Sequence, residues 1–438
     1  MKSIILATAA ASALMAGAAG PSLAQVSAEA RTDAELISRE ALFGNPTRAQ
    51  GKISPDGKWL SWLAPYEGVL NIWLAPADDP ASARAMTKAT ARPIRQHFWP
   101  GDAKSLLYVQ DKDGDENFLL YRIDLETGEE TTLTPFEHTR VQIVGASETI
   151  KDRILVGLNH RDPQFHDVYR LDLNTGDLTL VYENHSFAGF MADDTLTLRM
   201  AMRQNEAGGT DYFRFDDGRV EDEPFETTAM EDSLTTTPAG YTTDGSVLYW
   251  LDSRGRNTAA LYAQDTATGA RTLVAQDDKA DIGGTIRDQE TGKVQAYSVE
   301  YLTTEWTAID PAIRAALEWL GDRLEGEFGI SSRTDDDRTW IVWNDPLTAP
   351  VRTFIFDRDA ETLEEFYVSR PELEGAPLRP MHPLEIASRD GLTLPSYLTL
   401  PPGSDGTHSG RPDSPLPTVL LVHGGPWARD SFGFDAVH

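Results

Sequence analysis

The residues of this chain whose types and spacing suit chemistry lie near its last positions. A run Thr418-Val-Leu-Leu-Val422 opens directly into His423-Gly-Gly-Pro426. A continuous apolar run of this kind predicts a strand buried on both faces. Glycines at its exit let the main chain approach a ligand with no Cβ in the way. A main-chain N–H placed there can hold a carbonyl oxygen that gains negative charge during acyl transfer. Gly425 is the predicted donor, with Gly424 and His423 shaping the loop; His423 is not expected to move protons. An ordinary glycine turn after a strand is the competing reading, and the strand and hairpin ahead of the tetrapeptide favour the oxyanion hole.

Acyl transfer also needs a nucleophile, a base and an acid that orients the base. No Gly-x-Ser-x-Gly occurs in the sequence. Ser431 has Gly433 after it, but Arg429 stands where the first glycine belongs. Ser404 has Gly403 adjacent, one place too close. His438 follows the glycine loop too soon for a chain order of Ser, Asp, His. The triad is therefore absent from these residues. There are no cysteines, which excludes thiolate chemistry, disulfides and Cys-type zinc sites. Asp111-Lys-Asp-Gly-Asp115 has its glycine fourth and Arg122 at position twelve, so it reads as a turn and not as a calcium loop. His160 and His166, with Asp162 and Asp167 nearby, lack zinc-binding spacing. No metal and no cofactor is expected. Trp59, Trp62, Trp73, Trp99 and Trp250 lie on strand patterns and read as core, not as a carbohydrate-stacking face.

The elements that must position the glycine loop announce themselves as a repeat. Tyr121-Arg-Ile-Asp-Leu-Glu-Thr-Gly128, Tyr169-Arg-Leu-Asp-Leu-Asn-Thr-Gly176 and Tyr262-Ala-Gln-Asp-Thr-Ala-Thr-Gly269 each run into a second strand. Phe213-Arg-Phe-Asp-Asp-Gly218 and Phe354-Ile-Phe-Asp357 are weaker copies. Alternating apolar residues around Asn, Thr and Gly turns make each copy a β-hairpin. Trp73, Tyr121, Tyr169, Phe213, Tyr262, Trp306 and Phe354 serve as anchors of seven units, with clear steps of 48, 44 and 49 residues. Propeller blades repeat at about 40 to 50 residues. Ser54-Pro-Asp-Gly57, Pro100-Gly-Asp102 and Thr243-Asp-Gly245 each lead into an apolar strand and would start the inner half of a blade. Period-two alternation argues against a helical array. Two stretches break the pattern. Asp33 to Phe43 predicts a short helix, and Asp310-Pro311 caps a second helix to Leu324 inside the sixth unit.

After about residue 370 the repeat stops. Leu384–Ser388 and Leu392–Leu400 flank Arg389-Asp-Gly391 as a hairpin, a polar loop follows, and the apolar run and glycine loop come last. The expected fold is mainly β, a seven-bladed β-propeller followed by the first strands of an incomplete α/β-hydrolase domain. The expected segments are a signal peptide at 1–24, a helical segment at 25–45, the propeller at 46–370 and the hydrolase portion at 371–438. Lys2, the apolar stretch Ile4 to Ala19 and the small residues of Ser22-Leu23-Ala24 form the leader pattern, so the chain is expected to be periplasmic or secreted. The formal charge of −30 repels nucleic acid and anionic membrane, and neither is expected as a partner.

Taken in order, Leu42-Phe43-Gly44-Asn45-Pro46, Ile53-Ser-Pro-Asp-Gly57, Asp113-Gly-Asp-Glu-Asn117 with Tyr121, the blade hairpins and His423-Gly-Gly-Pro426 resemble the prolyl oligopeptidase family of serine peptidases. The likeness is nearest to its acylaminoacyl-peptidase and dipeptidyl-aminopeptidase-like bacterial members. It implies a propeller that caps the active site and admits short peptides, with a Ser, Asp and His triad beyond His438. The fragment alone would then be inactive. Relatives that trim dipeptides hold the substrate amine with adjacent glutamates, but Glu129-Glu130 and Glu364-Glu365 sit on hairpins and are not assigned that role. A homo-oligomer is compatible with this reading. A non-catalytic periplasmic propeller that binds proteins, and an esterase on the same scaffold, are the alternatives.

Overall fold

The computed structural model describes residues 36–425 and 427–438. The signal peptide expected at 1–24 and the start of the segment at 25–45 lie outside the described residues. The remainder of that segment begins with α1, Arg39–Phe43, whose first turn is capped by the Ser38 side chain accepting from the Ala41 N–H. The helix expected from Asp33 is thus shorter where it is described.

Seven antiparallel sheets follow in chain order. Blade one runs from Ala49–Ile53 to Arg84–Ala85, and blade two from His97–Phe98 to Glu130–Thr132. Blade three spans Val141–Gly145 to Leu178–Tyr182, and blade four Gly189–Ala192 to Glu226–Thr228. Blade five spans Thr237–Tyr241 to Arg271–Ala275, blade six Ile282–Arg287 to Thr304–Ala308, and blade seven Glu327–Arg333 to Thr362–Val368. Every sequence anchor from Trp73 to Phe354 falls in the third strand of its blade. Blade six has three strands, and α2, Pro311–Gly321, takes the next place in the chain. Asp310 caps that helix by accepting from the Ala312 N–H, and Pro311 stands where no N–H is required. Ile313, Ala316, Leu317 and Leu320 of α2 are buried against Trp340 and Phe356 of blade seven.

The hydrophobic clusters sit between blades, which is what holds the ring. One joins Leu107 and Leu120 to Ile154 and Val156 across blades two and three. Another joins Met200 and Tyr212 to Leu248 and Trp250 across blades four and five. The ring closes where Ile53, Leu60 and Trp62 of blade one meet Ile341, Phe366 and Tyr367 of blade seven. Among the described residues no strand crosses that joint, because each of these sheets is built from its own contiguous stretch of chain. Beside that packing, isolated hydrogen bonds tie the joint, among them Gly51 N–H to the Tyr367 hydroxyl, Ile53 N–H to Ser332 Oγ, and Asp335 N–H to the Pro55 carbonyl, each 2.8 Å.

Beyond blade seven, Met381–Ala387 and Thr393–Thr399 pair as a two-stranded hairpin, with Gly391 at φ +90° in its turn. The run Thr418–Val422 departs from expectation. It forms no strand, and Val419, Leu420 and Val422 are 92%, 86% and 67% exposed. The physical reason is the lack of a partner: no described strand lies beside it to take its main-chain hydrogen bonds. Among the described residues no helix is long and apolar enough to cross a membrane.

Candidate functional site

The glycine loop is described through Gly425 and again from Trp427. Gly425 has φ +143°, a conformation that side-chain-bearing residues rarely adopt. A Cβ there would lie 2.8 Å from the Trp427 nitrogen, so both the space and the dihedral select glycine. Gly424 has open space where a side chain would be. The Gly424 carbonyl lies 2.8 Å from His423 Nδ1 and accepts a hydrogen bond when that nitrogen carries the proton. His423 is therefore engaged with the loop's own main chain, and both glycines are exposed to solvent.

What fixes this segment is on its far side. Arg429 Nη1 donates to the Glu300 carbonyl, and its Nη2 donates to the Tyr301 carbonyl at 2.8 Å and the Tyr397 hydroxyl at 3.1 Å. Glu300 ends the second strand of blade six, and Tyr301 begins the turn that leads to the third. Tyr397 belongs to the hairpin that follows the propeller. Farther on, the Phe434 N–H donates to Asp345 Oδ2 of blade seven at 2.6 Å. Phe434, Ile37, Leu42, Leu347 and Met381 help line a cavity of about 190 Å³. Nearby Glu327 is buried, accepts from the Thr304 N–H, and has its carboxyl pKa raised, chiefly by that burial. Sequence reasoning missed Arg429 and Asp345 as anchors, since most of their partners are main-chain groups that no side-chain pattern marks.

The first strands of the blades enclose a central channel. Two cavities of about 490 Å³ each occupy it, one bounded by blades three to seven and the other by blades one, two, three, six and seven. Lys151, in the first turn of blade three, forms an ion pair with Asp335 in the corresponding turn of blade seven, across the ring. Glu148 faces the same space, and the surrounding protein, then Asp335 and Asp194, raise its carboxyl pKa.

The other sequence candidates are held in structural roles. Asp111 is paired with Arg92 at 3.0 Å and accepts from the Glu116 N–H. His160 stacks on Phe136 with ring centres 4.8 Å apart. Glu130 accepts from the Tyr108 hydroxyl at 2.7 Å, and Glu365 pairs with Arg352. Among the described residues no group of three or more His, Asp or Glu is placed to hold a metal.

Comparison with known proteins adds the decisive observation. The chain is 53% identical over 401 residues to dipeptidyl aminopeptidase BIII of Pseudoxanthomonas mexicana, covering 91% of this chain and 58% of that protein. That similarity supports the likeness to the prolyl oligopeptidase family read from the sequence. Dipeptidyl peptidase family member 6 of Caenorhabditis elegans is 26% identical over 439 residues, covering 92% of this chain and 58% of its own length. The chain thus spans a little under three fifths of each of these relatives. A puromycin hydrolase crystal structure superposes with a TM-score of 0.60 at 16% identity, covering 92% of this chain and 66% of that one. A prolyl endopeptidase structure gives 0.57 at 12% identity, covering 83% and 57%. These two likenesses concern the fold alone. No family model matches the chain.

Proposed function

We propose that this chain is the propeller and the opening part of the hydrolase domain of an exported serine peptidase that acts on short peptides. The observation that carries the reading is the 53% identity to a dipeptidyl aminopeptidase along nine tenths of the chain, together with a His-Gly-Gly loop whose Gly425 takes a conformation that favours glycine. In this reading the Gly425 N–H and the N–H after the nucleophile hold the tetrahedral oxyanion. The histidine takes the serine proton, and the aspartate orients the histidine. We place all three triad residues outside residues 1–438, since no Gly-x-Ser-x-Gly occurs within them and the chain spans 58% of its curated relatives. The ring would restrict access, its channel being bridged by Lys151 and Asp335. The leader pattern of the first 24 residues supports periplasmic or secreted localisation.

A fluorophosphonate probe tests the nucleophile's place. The natural-length protein should label at one serine and cleave dipeptide or tripeptide amides, and residues 1–438 alone should do neither. Labelling of the 438-residue chain would overturn the placement of the triad. Cleavage of esters without peptides by the natural-length protein would replace a peptidase with an esterase.

A further inference from the structure

Arg429 stands four residues beyond Gly425, and both Nη atoms of its guanidinium are spent on groups distant in the chain. It reaches the main-chain carbonyls of Glu300 and Tyr301 and the hydroxyl of Tyr397, while Nε turns back to the Asp430 carbonyl at 3.1 Å. The blade-six turn that receives it is itself tied down. The Tyr301 hydroxyl donates to Glu385 Oε1 at 2.8 Å, and Lys279 Nζ lies 4.7 Å from the Tyr301 ring centre and 3.5 Å from Glu385. Glu385 and Tyr397 sit on opposite strands of the hairpin Met381–Ala387 and Thr393–Thr399. One blade-six turn therefore holds the hairpin through a side chain and the glycine loop through a carbonyl, and Arg429 closes the circuit.

The chain ahead of the loop offers no comparable support. Thr418–Val422 lies exposed with no strand beside it, so the loop is held from its carboxyl side. We propose that Arg429 is a positioning residue, which sets the Gly425 amide by pinning the glycine loop to blade six. This rests on the oxyanion reading above. A planar guanidinium meets four acceptors in separate directions; an ammonium keeps the charge but loses that fork. The propeller then does more than screen substrates, because the placement of a blade-six turn fixes a main-chain donor of the reaction.

The test uses the natural-length protein and the variants Arg429→Met, Arg429→Lys and Tyr397→Phe. Misplacing a reacting group by about 1 Å costs on the order of 100-fold. Arg429→Met should accordingly lower kcat by about 10- to 100-fold with KM within about threefold, Arg429→Lys should recover part of it, and Tyr397→Phe should lose less. Amide exchange should quicken over residues 423–433 in Arg429→Met and stay unchanged in the blades, which separates lost positioning from lost folding. A loss confined to KM would make Arg429 a substrate contact and overturn the proposal. So would exchange and kcat both at wild-type values. Faster exchange with wild-type kcat would sink the oxyanion role of Gly425 itself.

Discussion

The joint between blades one and seven gives the sharpest test of how this ring holds together. Tyr367→Phe removes only a hydroxyl, yet that hydroxyl accepts from the Gly51 N–H at 2.8 Å in a buried setting. Among the described residues the donor has no other partner in the joint, because no strand crosses it. A buried N–H left unpaired costs about 1 to 3 kcal/mol. Spread over global unfolding of roughly 400 residues, at about 2.1 cal/mol/K per residue, that shifts Tm by only about 1 to 4 °C. The larger signal is local. If the joint opens without the rest, protection of the Ala49–Ile53 amides should fall by about 5- to 150-fold. Ser332→Ala, which strips the acceptor from the Ile53 N–H, should do the same, and the double variant should do more. Gln264→Leu, which breaks a buried bond with Trp250 Nε1 inside blade five, should lower Tm without quickening exchange at Ala49–Ile53. Amide exchange read by mass spectrometry separates these outcomes. Unchanged protection at Ala49–Ile53 in both joint variants would refute the claim that isolated hydrogen bonds tie the joint.

Two further perturbations follow from packing and burial. A Cβ on Gly329 would lie 2.7 Å from the Trp343 ring, so Gly329→Ala should cost about 1 to 3 kcal/mol by overpacking; in a Trp343→Ala background the same change should be nearly neutral in chemical denaturation. His97 is fully buried, its Nε2 is 2.8 Å from Ser61 Oγ, and burial, then Lys52, lowers its pKa from 6.5 to about 3. The folded ring is thus neutral where the unfolded one takes a proton. Its contribution to stability is whole above pH 6.5 and is lost as pH falls from there toward 3. His97→Gln should flatten the dependence of Tm on pH between 6.5 and 4 relative to the unaltered protein, and equal slopes would contradict this.

The propeller was legible in the sequence because each blade carries its own pairing partners. Asp124, Asp172 and Asp265 each accept from the N–H of a Thr three residues on, at 2.8, 3.0 and 2.7 Å. Gly128, Gly176 and Gly269 then take φ near +75°. That turn chemistry is local, so it can be read directly. The same chemistry also shows where local reading stops. Asp288 accepts from the Thr291 N–H at 2.7 Å, and Gly292 takes φ +67°, which is the same turn, yet it joins the first and second strands of blade six. Turn residues specify a bend and say nothing of which bend in the blade it is. The hydrophobic anchors settled the count, since Trp306 and not Asp288 marks the third strand there.

The glycine loop illustrates the opposite case. Thr418–Val422 has the composition of a buried strand, but burial of a parallel strand depends on neighbours far away in sequence. Composition can state that a segment suits such a place without supplying the place, and in this chain the segment lies uncovered. The loop still has a definite position, and it comes from elsewhere: a guanidinium on two blade-six carbonyls and a main-chain N–H on Asp345. In each of those bonds one partner is backbone, which every residue possesses, so no residue type at either end betrays the contact. The glycines of the loop were therefore visible in the sequence, while their anchorage became visible only once the ring placed Glu300, Tyr301 and Asp345 beside them.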